Sequence, residues 1–143
     1  MQKKHSKFSR SFLTMHEFST MQQIVAAILE EARRQHATAI YRVSLEIGEL
    51  TFLGEEQLRF AFQILTEGTL LAGAELTIET LKTEVRCSCG YRGGVDYGLK
   101  EEFHLSFPLL KCPRCGGDVD ILSGRECAIK NVEMEVPNAG IEK

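Results

Sequence analysis

The chain reads as an α/β (α+β) protein: a small three-stranded sheet with two helices on one face, plus an inserted cysteine-clasped lobe. Three observations predict this. Two stretches repeat apolar residues at the three- and four-residue spacing of amphipathic helices. Three others show the two-residue period of strands. Between the second and third strands stand two close cysteine pairs, Cys87-Ser88-Cys89-Gly90 and Cys112-Pro113-Arg114-Cys115-Gly116, with 22 residues between them.

The first helix spans about His16 to His36. Phe18, Met21, Ile24, Val25, Ile28, Leu29 and Ala32 form its apolar stripe, with Glu30, Glu31, Arg33 and Arg34 turned to solvent. Ser19 or Thr20 is the expected cap. A strand follows over Ile40 to Leu50, where Tyr41, Val43, Leu45 and Ile47 alternate with Arg42, Ser44, Glu46 and Gly48. The second helix runs from about Gly54 to Gly68. Glu55 and Glu56 suit its positive end. Leu58, Ala61, Phe62 and Leu65 make a stripe that Phe60 and Ile64 widen, so much of this helix is expected to be buried.

A second strand is expected from Ala74 to about Arg86. Its apolar residues change face between Ile78 and Leu81, which a bulge or a change of cover near Thr80 would explain. The third strand, Glu126 to Val136, places Cys127 and Ile129 on one face and Val132, Met134 and Val136 on the other. The stretch between is rich in glycine and charge and too poor in apolar residues for its own core, so a bound metal must fold it. The predicted organisation is therefore residues 15–86 and 122–136 as the α/β domain and 87–121 as the metal lobe. Residues 1–14 are expected to be a disordered extension and 137–143 a frayed tail.

Composition narrows the function. The 143 residues carry a formal net charge of -3 with acids and bases interleaved, unlike the basic face that nucleic acid requires. No apolar run approaches the roughly 18 residues that span a bilayer. Five cysteines without a secretory leader point to a reducing, cytoplasmic setting in which clustered thiols bind metal. The segment MQKKHSKFSRSFLT at the start lacks the continuous apolar centre of a signal peptide.

Soft thiolates placed two by two on glycine turns suit a tetrahedral ion, above all zinc. A rubredoxin-type iron site and a set of unligated thiols are the alternatives. With Cys87, Cys89, Cys112 and Cys115 filling all positions, such a site is structural and the lobe is zinc-ribbon-like. Cys127 reads as a small buried hydrophobe. His104 reads as a loop histidine that could exchange onto the metal, and His36 suits the C-terminal end of the first helix. His16, in Met15-His16-Glu17, reads by composition as a surface residue. Were Met15 the first residue, its amine, the next backbone nitrogen and the imidazole would close chelate rings around a square-planar Ni(II) or Cu(II). Glu17 would then add a carboxylate, with Glu46 or Glu49 near in space.

Met15-His16-Glu17 before an amphipathic helix, Ile47-Gly48-Glu49-Leu50, the cysteine pairs, Gly124-Arg125-Glu126 and Val132-Glu133-Met134-Glu135 together resemble the HypA/HybF hydrogenase nickel-incorporation proteins. The resemblance spans about Met15 to Val136. It implies a metallochaperone and not an enzyme: nickel on His16, supported by Glu17, and structural zinc on Cys87, Cys89, Cys112 and Cys115. The implied partners are a HypB-type nickel GTPase and the large subunit of [NiFe]-hydrogenase, with urease maturation as a further client, no nucleic acid and no membrane, in a monomer or homodimer. Two departures stand out. Fourteen residues precede Met15, so its nitrogen is an amide as written, and only one residue separates Cys87 from Cys89.

A zinc-ribbon module that binds RNA or protein is the competing class. Arg86, Arg92, Lys111, Arg114 and Arg125 lie around the pairs, but so do Asp96, Glu101, Glu102, Asp118 and Asp120.

Overall fold

The computed structural model describes residues 2–7, 16–95 and 110–137. His104 and Met15 lie outside them. A four-stranded sheet in the order β1-β7-β2-β3 carries two helices, and a second sheet in the order β5-β4-β6 forms the lobe. The strands are β1 (Gln2–Lys7), β2 (Ala39–Gly48), β3 (Glu75–Leu81), β4 (Glu84–Arg86), β5 (Arg92–Gly94), β6 (Asp120–Ser123) and β7 (Cys127–Val136). The helices are α1 (Glu17–Arg34) and α2 (Glu55–Leu65).

Helix α1 buries Met21, Ile24, Val25, Ala27, Ile28 and Ala32, close to the expected stripe. Its cap is neither Ser19 nor Thr20. His16 takes the extended cap conformation and its side chain accepts a hydrogen bond from the Ser19 amide; Thr20 is wholly buried. At the other end His36 sits at φ 58°. The His36 amide donates to the Arg33 carbonyl and the Ala37 amide to the Ala32 carbonyl, which is a Schellman closure built on a non-glycine residue.

Two bulges set which side chains enter the core. Pairing of β2 with β7 slips between Ile40 and Arg42 and again between Ser44 and Leu45. The first slip leaves Tyr41 extra on β2, so Ile40 is buried and Tyr41 faces out. The second leaves Lys130 extra on β7. Cys127 and Ile129 therefore share the buried face with Val132, Met134 and Val136, although simple alternation would divide them. An inserted residue reverses the parity of everything beyond it.

Beyond β2, a short 3-10 turn, Glu49–Thr51, leads into α2, after which β3 returns parallel to β2. Leu58, Ala61 and Phe62 of α2 are buried. Phe60 is 65% and Ile64 42% exposed, so the helix is one-sided and not largely buried as expected.

Three further expectations are corrected. Residues Gln2–Lys7 of the extension are not disordered: they pair antiparallel along β7 as a fourth strand. The stretch from Ala74 to Arg86 is two strands in different sheets and not one bulged strand. It breaks at Lys82 and Thr83, so the change of face reflects the chain leaving one sheet for the other. The lobe sheet also includes Glu84–Arg86 and Asp120–Ser123, reaching beyond both cysteine pairs.

The lobe meets the main sheet at a narrow joint. The Leu50 amide donates to the Gly124 carbonyl and the Gly48 amide to the Glu126 carbonyl, both at 2.7 Å. A Cβ on Gly48 would lie 2.1 Å from the Gly124 carbonyl oxygen, so only glycine permits this approach. The Glu49 carboxylate accepts from the Thr83 amide at 3.0 Å and the Glu126 carboxylate from the Gly124 amide at 2.8 Å.

Candidate metal centre

The four lobe cysteines converge. Their sulfurs all lie within 4.8 Å of one another. Cys87 to Cys115 and Cys89 to Cys112 each measure 3.6 Å. A tetrahedral zinc with Zn–S bonds near 2.3 Å places its sulfurs about 3.8 Å apart, so the set fits that ion with little adjustment. Cys87 and Cys112 are buried while Cys89 and Cys115 face solvent.

The two pairs differ in their turns. In the second, Gly116 at φ 76° reverses the chain, and the Gly116 amide reaches the Cys112 carbonyl at 2.9 Å. The Arg114 and Cys115 amides donate to the Cys112 sulfur, and the Gly117 amide to the Cys115 sulfur, at 3.3 to 3.4 Å. In the first, the turn is closed by backbone bonds: Gly90 amide to Cys87 carbonyl and Cys87 amide to Tyr91 carbonyl. The single residue between Cys87 and Cys89 still brings both sulfurs to the shared point.

Charge is unevenly distributed over the sulfurs. Burial pushes the Cys112 thiol up, but the amides of Cys115 and Arg114 and the thiols of Cys89 and Cys87 outweigh it and bring it down to about 6. The Gly117 amide draws Cys115 down, yet the three neighbouring sulfurs and burial push it up to about 11. One thiolate forms readily and further ones repel it, which is the electrostatic demand a divalent cation meets. Cys127 stands apart on the buried face of β7, where burial alone pushes its thiol up to about 11. It is a core side chain and not a fifth ligand.

The lobe's cations are largely neutralised. Arg86 pairs with Asp120, Arg92 with Glu84 and Lys111 with Asp118, while Arg114 lies over the Tyr91 ring. Asp118 and Asp120, two of the acids that the sequence sets against these bases, are indeed their partners, and Glu84 is a third.

His16 lies exposed at the start of α1. Its Nδ1 accepts from the Ser19 amide at 3.4 Å. The Glu17 carboxylate accepts from the Gly54 amide at 2.8 Å and so ties the start of α1 to the start of α2. Glu46 lies 3.9 Å from the Lys130 ammonium, and Glu49 holds the joint. Among the described residues the cysteine set is the one group of three or more such side chains close enough to share an ion. Glu46 and Glu49 are thus not gathered with His16.

Fold and site together define a two-lobed α/β metal-handling protein, with a thiolate clasp in one lobe and an exposed helix-capping histidine in the other. The family model described as hydrogenase/urease nickel incorporation, metallochaperone, hypA matches residues 15–134. The chain is 39% identical to the hydrogenase maturation factor HypA of Methanothermobacter thermautotrophicus, across 85% of this chain and 98% of that one. It is 43% identical to that of Methanococcus aeolicus, with the same coverage. The solution structure of the Ni metallochaperone HypA from Helicobacter pylori superposes with a TM-score of 0.59 at 28% identity, covering 86% of this chain and all of that one. This chain belongs to the HypA family of nickel metallochaperones. The residues the sequence singled out as Ile47-Gly48-Glu49-Leu50 and Gly124-Arg125-Glu126 prove to build the joint between the lobes.

Proposed function

We propose that this chain carries Ni(II) to the large subunit of [NiFe]-hydrogenase as a cytoplasmic metallochaperone and that zinc in the four-cysteine set is structural. The observation that carries this reading is the separation of two kinds of donor. Four mutually adjacent sulfurs leave no open position for a second ligand, whereas His16 stands exposed on the other lobe. A closed thiolate set suits a permanent ion and a sparse nitrogen site suits one that must leave. His16 is the principal nickel ligand in this reading and Glu17 its neighbour, with release to a HypB-type GTPase or to the client enzyme, urease among the alternatives. Because Met15 follows fourteen residues, a free Met15 amine requires a chain that begins there.

Calorimetric titration with nickel of the chain shortened to begin at Met15, beside its His16→Ala variant, tests the assignment. Loss of the tight site in the variant is expected; equal binding by both overturns it. The RNA-binding alternative has little support, since three of its five bases, Arg86, Arg92 and Lys111, are paired with carboxylates.

A further inference from the structure

The strand outside the family-wide region sits on a built receptor. The family match begins at residue 15, while β1 covers Gln2–Lys7 and pairs with β7 from Gln2 opposite Val136 to Lys7 opposite Asn131. Relatives matched over 98% of their length by 85% of this chain offer no equivalent of it. In a chain beginning at Met15, the β7 edge would present unpaired amides and carbonyls over these six residues, a template for another strand.

The side chains around that edge select the strand. Lys3 stands directly opposite Glu135. Its ammonium lies 3.6 Å from the Glu133 carboxylate and 5.2 Å from the centre of the Tyr41 ring. The Tyr41 hydroxyl donates to Glu135 at 2.9 Å, which fixes ring and carboxylate together. Tyr41 reaches this position because it is the extra residue of the β2 bulge. Two carboxylates and an aromatic face form a surface socket for one primary ammonium. The occupying strand, QKKHSK, carries three lysines and no acid.

We propose that the β7 edge is a strand-acceptor site for a basic extended segment of a partner protein, and that β1 is its built-in competitor. Backbone pairing gives such a segment affinity, and the Tyr41–Glu133–Glu135 socket demands a lysine at one position. Pairing of β7 with a second β7 is disfavoured, because an antiparallel match centred on Met134 sets Glu133 against Glu135. The extension therefore gates an edge that a chain beginning at Met15 would leave open. This inference does not depend on the nickel assignment.

The test uses the labelled peptide MQKKHSKFSRSFLT, followed by fluorescence anisotropy. Against the chain shortened to begin at Met15 it is expected to bind. Against the intact chain binding should be at least tenfold weaker, because β1 already fills the edge. A peptide carrying Lys3→Glu should bind the shortened chain at least tenfold more weakly than the parent peptide. In the intact chain, Lys3→Glu should speed hydrogen exchange of β7 amides and admit the parent peptide, an arm that needs no truncation. Equal binding to intact and shortened chains would overturn the proposal, as would indifference to the charge reversal. So would a shortened chain that dimerises through β7 and takes up no peptide.

Discussion

The two lobes stand on different physical footings. The main lobe packs some twenty side chains of α1, α2, β2, β3 and β7 into one continuous core, and Met21, Ile24, Ile28, Val43, Ile129, Val132 and Met134 are wholly shielded. In the lobe sheet the fully shielded apolar side chain is Val85, accompanied by the sulfurs of Cys87 and Cys112. Its strands of three and four residues are below the size that packs alone. One lobe is held by excluded water and the other, on the proposed reading, by a coordination sphere, and among the described residues hydrogen bonds join the two. Each should therefore fail for its own reason.

Breaking the clasp is the largest expected effect. Cys112→Ser removes a buried ligand that gathers two amide bonds. Zinc binding supplies on the order of 10 kcal/mol to small thiolate folds, so the lobe should lose its structure while the main lobe keeps its own. Heteronuclear spectra should show collapse of lobe resonances with those of α1 and β7 retained. Loss of both together would mean that the joint makes the lobes one cooperative unit. The reciprocal change is Ile129→Ala, at a fully shielded position of β7. A cavity there costs about 2–5 kcal/mol. It should appear as an earlier denaturation midpoint for the main lobe, with zinc content unchanged.

Acid sharpens the same contrast. In the folded lobe Cys112 is drawn down from 9.0 to about 6. A depressed thiol favours the folded lobe at high pH, and that contribution is lost as pH falls through about 6. Cys115, pushed up to about 11, has the opposite sign: its protonated form favours the fold below about 9, and the benefit fades as pH rises toward 11. Because the sulfurs interact, the steps belong to the set. These shifts act only while the lobe is folded. If metal is what folds it, zinc removal should return the thiols to a single rise of thiolate absorbance near the ordinary value. Two well-separated steps would show that the lobe keeps its fold without metal.

Much of this was legible in the sequence, and the failures have a pattern. Both helices follow from apolar spacing, and all four clustered cysteines follow from their pairing beside glycine. What periodicity cannot show is a residue that changes the count. The bulges at Tyr41 and Lys130 reverse parity without altering composition, so β7 read as two-faced when one face holds all five of its buried residues. The break at Lys82 and Thr83 read as a bulge or a change of cover within one strand, because local sequence does not say which sheet a strand joins. The extension read as disordered because six polar residues carry no strand period; its order comes from a partner strand about 130 residues away. Phe60 and Ile64 read as buried because hydrophobicity was taken for burial, and one face of α2 is left apolar and exposed. At His16 the helix cap was not legible, since histidine is an unusual capping residue.

The smallest effect lies in the main lobe, at the end of α1, where the sequence placed His36 favourably against the helix dipole. The structure adds a backbone role: at φ 58° His36 is the left-handed residue of a Schellman closure that lets Ala37 bond back to Ala32. A side chain in that region is strained, and glycine is not. His36→Gly should therefore stabilise the chain by about 0.5–1 kcal/mol, with the greater freedom of glycine in the unfolded chain offsetting part of the gain. The imidazole is exposed, so its removal should cost little packing. Thermal denaturation of the main lobe should shift upward by a few degrees for a domain of this size. An unchanged or lowered midpoint would overturn the reading of His36 as a strained structural closure.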